Sequence, residues 1–266
     1  VTSVPKVALK LVDVRPDVVA ALKDAFCEFE GVEIRRGNIL AAASHAVVSP
    51  ANSHGFMDGG IDQAYRSFFG PAIEGQVREA CRRRPEGHLP VGASAVIATG
   101  DPRVPWLVLA PTMEMPELVA PQAAYRAMRA ALRALAPVGL RGDVYCPGLA
   151  TGVGGVSPTD AAAEMAEAYR DWAEKQKGWE ALKEAYPLGS RLTGVVAHRA
   201  PFGFFVDPER GGLAIVDLGI QHTMGSPLPK DEQRWPALSD SVAGRVVRYR
   251  EDGHQIDIVW EREANG

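Results

Sequence analysis

Two glycine-rich segments are the residues of this chain best suited to hold a ligand. The first is Asn52-Ser53-His54-Gly55-Phe56-Met57-Asp58-Gly59-Gly60-Ile61-Asp62, and the second is Ala150-Thr151-Gly152-Val153-Gly154-Gly155-Val156. Each follows an apolar run that reads as a strand and leads into a helical pattern. Phosphates are held by backbone N–H groups at helix N-termini or in nests, and glycines let the backbone come close. Either loop alone is a weak signal. Gly152-Val153-Gly154 does not complete GxGxxG, because Ser157 stands where the third glycine belongs. GxxxxGK[ST] is absent, which argues against P-loop nucleotide hydrolysis. On spacing alone, a phosphate-bearing ligand and ordinary turn glycines stand about level.

Other reactive side chains offer less. His45, His54, His88, His198, His222 and His254 are scattered and form neither HExxH nor a Cys/His zinc spacing, so no metal site is expected. His54 lies in the first loop, where a solvated histidine is the more ordinary reading. Cys146 sits in an apolar run, as a buried small residue does more often than a nucleophile. GxSxG is missing, so an α/β-hydrolase lacks its nucleophile elbow. Arg78 and Arg82-Arg83-Arg84 read as a solvated helix end that complements the dipole.

The elements that must position the two loops are legible around them. Val7–Val12, Val32–Asn38, Ala46–Pro50, Ala93–Thr99, Trp106–Thr112 and Val144–Leu149 read as strands. Between them lie helical stretches from Pro16 to Phe29, Ile61 to Cys81 with a break at Gly70-Pro71, and Pro121 to Leu135. Ser157-Pro158 opens a further helix to about Gln176, with Asp160 near its positive end. Strands alternating with helices predict an α/β sheet covered on both faces, with ligands beyond the carboxyl ends of the strands. After Tyr186 the pattern changes to short strands: Leu192–His198, Gly203–Val206, Leu213–Asp217, Ser241–Tyr249 and Gln255–Trp260. Five strands in about seventy residues predict a small barrel.

Composition bounds the rest. The 266 residues are 46% hydrophobic and 23% charged, which is globular and enough for one large or two small domains. A formal net charge of −4 gives no footprint for duplex nucleic acid or anionic membrane. No apolar run is long enough to span a bilayer, and no signal-like segment opens the chain. Cys27, Cys81 and Cys146 are odd in number and widely spaced, as free thiols of a cytoplasmic protein would be.

Residues from about 33 to 172 resemble a macrodomain, the three-layer α/β/α fold with a mixed central sheet that binds ADP-ribose. Gly37-Asn38-Ile39 resembles the family's Gly-Asp-Ile segment. Val48-Ser49-Pro50-Ala51-Asn52 followed by Gly59-Gly60-Ile61-Asp62 resembles Val-Asn-Ala-Ala-Asn and the first phosphate loop. Ala150-Thr151-Gly152-Val153-Gly154-Gly155 resembles the second loop. Leu109-Ala110-Pro111-Thr112-Met113 is similar to a bacterial and phage-associated branch. The resemblance implies that Asn38 and Ile39 meet the adenine, where the usual Asp accepts from the exocyclic amine and Asn lacks that charge. It implies that Ala51 and Asn52 hold the distal ribose, with Gly59, Gly60 and Ile61 offering N–H groups to that end. Thr151, Gly152, Val153, Gly154 and Gly155 would cradle the diphosphate. ADP-ribose is then the ligand, with no further cofactor. In the family's hydrolytic branch an Asn and an Asp ten positions apart orient ribose and water, as Asn52 and Asp62 would. The alternative role for Asp62 is to cap the helix that begins there. Three departures stand out: Ser49 for the first Asn, Gly154 for an aromatic that packs on the distal ribose, and Arg66 for a His. Phe56 or Tyr65 are candidates for the missing ring.

Residues 190–261 resemble an S1-like OB barrel through Leu192–Val196, Phe202–Asp207 and Ser241–Val247. Such barrels stack single-stranded RNA on exposed aromatics, which implies Phe202 and Phe204 as RNA-binding candidates, with His198 beside them. From Pro187 onward, 9 Lys/Arg face 11 Asp/Glu, so the usual basic groove is missing. A structural or protein-contact role is favoured over RNA. The expected organisation is a macrodomain over 1–178, a helical linker over 179–189 and the barrel over 190–266. The partners are ADP-ribose or an ADP-ribosylated macromolecule, and a protein or single-stranded RNA at the barrel.

Overall fold

The computed structural model describes residues 8–134, 142–229 and 231–261. They form two compact units, Val1–Trp172 and Ala173–Gly266. The first unit opens with strand β1 (Ala8–Asp13), helix α1 (Pro16–Ala25), β2 (Glu33–Arg36), a single turn α2 (Ile39–Ala42) and β3 (Ala46–Ser49). After the first glycine loop come α3 (Gly60–Phe69), α4 (Ala72–Arg82), β4 (Ala95–Ala98), β5 (Trp106–Leu109), α5 (Gln122–Ala134) and β6 (Asp143–Cys146). Helix α6 covers Pro158–Ala185. Its residues up to Trp172 count with the first unit and those from Ala173 with the second.

The strands make one six-stranded sheet in the order β2-β1-β6-β3-β5-β4. All pairs are parallel except β4 with β5, so the sheet is mixed, as expected. Alternating side chains feed two cores because successive Cβ atoms point to opposite faces. Ala46, Val48, Val108, Val144 and Cys146 pack with Leu22 of α1, Met128 of α5 and Met165 of α6. Val47, Leu107, Leu109 and Tyr145 pack with Ile39 of α2, Tyr65 of α3 and Val77 of α4. Three helices therefore cover each face. The parallel strands all run the same way, so the loops after β1, β2, β3, β5 and β6 gather at one edge.

Local chemistry sets the element ends. Pro16 opens α1, where a missing N–H is harmless. The helix stops at Ala25, before the expected Phe29, and Phe26 N–H bonds back to Leu22 as its cap. Phe26 and Phe29 instead pack around Tyr169 as a ring cluster. Ser157 caps α6: its hydroxyl accepts the Asp160 N–H at 3.1 Å and donates to the Asp160 carboxylate at 2.7 Å. That helix runs past its expected end near Gln176, to Ala185.

The second unit closes a five-stranded barrel from β7 (Arg191–Ala200), β8 (Gly203–Pro208), β9 (Ala214–Asp217), β10 (Ser241–Arg250) and β11 (Gln255–Trp260). The circular order is β7-β8-β9-β11-β10, with β9 and β11 parallel and the other pairs antiparallel. Helix α7 (Leu218–Thr223) follows β9. Its Gln221 is buried, donating to the Ile258 carbonyl at 2.8 Å and accepting from the Trp260 N–H. Gly203 has φ 145°, and a Cβ there would lie 1.9 Å from the Val216 carbonyl oxygen, so the strand start requires glycine.

One expected RNA contact is corrected here. Phe204 is fully buried in the barrel core with Val206, Val216 and Ile258. A side chain without an exposed face cannot stack a base. The pleat turns Phe204 and Val206 inward and leaves Phe205 half-buried on the outer side. Phe202 is 49% exposed and meets Phe205 edge-on, and His198 also contacts Phe205.

Candidate functional site

The gathered loops enclose a cavity of about 450 Å³ within the first unit. One wall is the end of β1 and the start of α2, from Val12 to Arg15 and from Gly37 to Leu40. A second wall is the first glycine loop, with Ala51, Asn52, Phe56 and Asp58 through Asp62. The third is the second glycine loop, from Ala150 to Gly154, and Thr112, Met113 and Pro116 complete the surround. The structure therefore brings together Asn38, Ile39, Ala51, Asn52, Gly59, Gly60, Ile61, Asp62, Thr151, Gly152, Val153 and Gly154. Gly155 lies outside this lining. It turns the loop with φ 65°, and its N–H bonds to the Gly152 carbonyl.

Each loop is fixed by its own hydrogen bonds. The Asn52 carbonyl oxygen accepts the N–H groups of His54 and Phe56, and its amide donates to the Phe56 carbonyl at 2.8 Å. Asn52 is thus a staple of the first loop as well as a wall of the cavity. Ser53 N–H bonds to Met113, and the Thr112 hydroxyl donates to the Pro50 carbonyl, tying that loop to the end of β5. In the second loop, Val156 N–H returns to Ala150, which has φ 61°. A Cβ on Gly154 would come within 2.8 Å of the Ala150 carbonyl oxygen and 3.0 Å of Val119. Close packing explains why no aromatic stands there.

What remains is a set of unused donors. The N–H groups of Gly59, Gly60 and Ile61, at the start of α3, bond to nothing among the described residues. Neither do those of Thr151, Gly152, Val153 and Gly154. Two clusters of backbone donors around one cavity, one of them at a helix N-terminus, favour an extended anion.

Asp62 is the buried acid of the site. It sits in the first turn of α3, but its carboxylate turns inward, and the Ser49 hydroxyl donates to it at 2.5 Å. The helix cap is Gly59, without a side-chain bond, so the capping role does not describe Asp62. Burial pushes its pKa up to about 6, and the Ser49 hydroxyl opposes that rise. Tyr65 is fully buried and donates to the Val48 carbonyl, which leaves Phe56 as the ring lining the cavity. Arg78 covers that ring at 4.9 Å, and Arg66 pairs with Glu74. The Cys146 thiol is buried and held well above its ordinary pKa, so it is no nucleophile. His54 lies against Phe56 and His88 and does not line the cavity.

Sequence reasoning missed the loop after β1. Asp13 accepts the Arg15 N–H at 2.9 Å and the Gly148 N–H at 3.0 Å, bolting the ends of β1 and β6 together. Arg15 donates to the Thr151 carbonyl at 2.8 Å and pairs with Asp17. The available signal was a charged pair at the carboxyl end of an apolar strand.

Residues 48–166 match the family model described as Macro domain. An uncharacterised protein of Aquifex aeolicus is 35% identical over 145 residues, 54% of this chain and 84% of the relative. Among solved structures, the macrodomain of Mycobacterium tuberculosis DarG is 22% identical, covering 51% of this chain and 87% of that one, with a TM-score of 0.45. Thermosipho africanus DarTG in complex with ADP-ribose is 15% identical, covering 50% of this chain and 36% of that one, with a TM-score of 0.41.

Proposed function

The N-terminal unit of this chain belongs to the macro domain family, and from that premise we propose that its cavity binds ADP-ribose, free or attached to a macromolecule. The observation that carries the reading is the pair of donor clusters, Gly59–Ile61 and Thr151–Gly154, around one cavity of about 450 Å³. The diphosphate takes the second loop, and the distal ribose takes the first loop beside Asn52 and Asp62. The test is calorimetric titration of ADP-ribose into the wild type and Gly152→Glu. A Cβ on Gly152 meets nothing within 4 Å, so the variant folds while its carboxylate repels the diphosphate. Saturable binding that the variant loses by at least tenfold supports the site. Equal binding by both proteins rejects it.

Asp62 favours a hydrolytic extension of this reading. A carboxyl group with a pKa of about 6 at the distal ribose is mostly ionised at pH 7 and still basic enough to take a proton from water. Water attack at the anomeric carbon would release the modified group, with the carboxylate also stabilising oxocarbenium-like charge. Turnover of an ADP-ribosylated substrate that disappears in Asp62→Ala, with ADP-ribose binding retained, is the expected result. Undiminished turnover removes Asp62 from the reaction, and binding without turnover in the wild type leaves a reader.

For the second unit, we read the barrel as OB-like. The order first-second-third-fifth-fourth, with the third and fifth strands parallel and a helix after the third, supports this. The cluster of the exposed Phe202 and His198 with the half-buried Phe205 is its candidate contact surface, for a protein or for single-stranded RNA. RNA binding predicts salt-sensitive retention of an oligonucleotide that Phe202→Ala weakens. No retention at low salt selects the protein-contact role.

A further inference from the structure

We infer that Arg15 is the counter-charge of the bound diphosphate, its guanidinium donating to the ligand as well as to the second glycine loop, with Asp17 competing for the same group. The inference rests on the reading that this loop holds the diphosphate of ADP-ribose.

The sheet brings Arg15 to that loop. Strands β1 and β6 are parallel neighbours, so the turn after β1 lies beside the loop after β6. Asp13 holds the turn by accepting the Arg15 N–H, and Pro16 starts α1 directly after it. The Arg15 side chain then crosses to the second loop, where Nη1 donates to the Thr151 carbonyl at 2.8 Å. Arg15, Thr151 and Gly152 line the same cavity.

The charge of that lining gives Arg15 a further task. Its ionisable side chains, among the described residues, are those of Asp13, Asp58, Asp62 and Arg15. Three acids and one base make a poor host for an anion unless the base stands at the anion. The backbone N–H groups of the two loops supply partial charges only. Arg15 is the one full positive charge on the lining, and it sits on the loop with the unused donors. A guanidinium fork matches the oxygens of a phosphate in spacing and plane.

The guanidinium also has donors to spare. Nε and Nη2 bond to the Asp17 carboxylate at 3.2 Å and 2.5 Å, and Nη1 bonds to Thr151. Each terminal nitrogen carries a second N–H, and neither of these has a partner among the described residues. Asp17 lies outside the cavity lining. The side chains of the Arg15–Asp17 pair are 43% and 54% exposed, so water screens the pair and a ligand displaces it at little cost. Asp17 nonetheless offsets part of the charge that the diphosphate would meet.

The experiment is calorimetric titration of ADP-ribose into the full wild-type chain, Arg15→Gln and Asp17→Asn, each at low and at high salt. Arg15→Gln is expected to weaken binding by about tenfold, the loss of a charge-assisted hydrogen bond. Asp17→Asn leaves Arg15 its charge and its bond to Thr151, and is expected to tighten binding by about threefold. Salt is expected to weaken the wild type more than Arg15→Gln, because it screens an attraction that the variant lacks. Unchanged binding by Arg15→Gln, or no gain in Asp17→Asn, overturns the inference while ADP-ribose binding stands. A loss in Arg15→Gln that is the same at both salts does so as well, and reduces Arg15 to a brace of the loop. Failure of the wild type to bind ADP-ribose instead overturns the reading on which the inference rests.

Discussion

Asp62 shows at the scale of one residue how function and stability pull apart. Its carboxyl is buried, and among the groups that set its pKa the Ser49 hydroxyl alone favours ionisation. A folded pKa of about 6 against an ordinary 3.8 means that folding opposes ionisation. The stability associated with the protonated form is complete below about pH 4 and is lost as pH rises through 6. Asp62→Asn is therefore expected to stabilise the fold at pH 8, by about 2–3 kcal/mol at the most, and to change it little at pH 4. Thermal denaturation at the two pH values checks this; a variant destabilised at pH 8 contradicts it. A hydrolytic role adds a second signature, since turnover by the carboxylate falls as pH drops through about 6. Gly154 makes the opposite point. Its replacement by Ala pushes a methyl against the Ala150 carbonyl oxygen at 2.8 Å. The second loop must then shift, and ADP-ribose affinity is expected to fall more in Gly154→Ala than in Gly152→Ala, whose Cβ has open space.

At the scale of elements, sequence signals worked where chemistry was local. Pro16, the Gly70-Pro71 break and the Ser157 cap fixed helix starts that appear within a residue or two. Removing the last of these, Ser157→Ala, is expected to cost about 1 kcal/mol, measured by denaturant titration; no loss would show that the cap is redundant. Signals failed where packing decides. The helical spacing of Phe26 and Phe29 read as one more turn of α1, but both rings are taken up by Tyr169 of α6. The single turn α2 is too short to show a period, and its cap is visible only once Asn38 meets Leu40. In β8, two adjacent phenylalanines look alike, and only the pleat decides that Phe204 turns in and Phe205 out.

At the scale of the whole molecule, the two units have separate cores, and every residue lining the cavity belongs to the first. ADP-ribose at 100 times its Kd is expected to stabilise that unit by about 2.7 kcal/mol, moving one calorimetric transition upward and leaving the barrel's in place. A joint shift of both transitions would show that they unfold as one.

The sequence by itself determined the order of the strands and of the longer helices, the change of pattern after Tyr186 and the two glycine loops, because periodicity, glycine and proline act over a few residues. It also marked Asn38, Ser49 and Gly154 as departures from a family pattern. Only the tertiary structure decided what those departures do. Ser49 meets a carboxylate thirteen residues away, Gly154 is held against Ala150 and Val119, and Asn38 turns its side-chain oxygen to the Leu40 N–H. Asp13 reaches Gly148 and Arg15 reaches Thr151 of the second loop, each across more than 130 residues of chain. Such contacts depend on strand order and side-chain direction, which no spacing along the chain encodes.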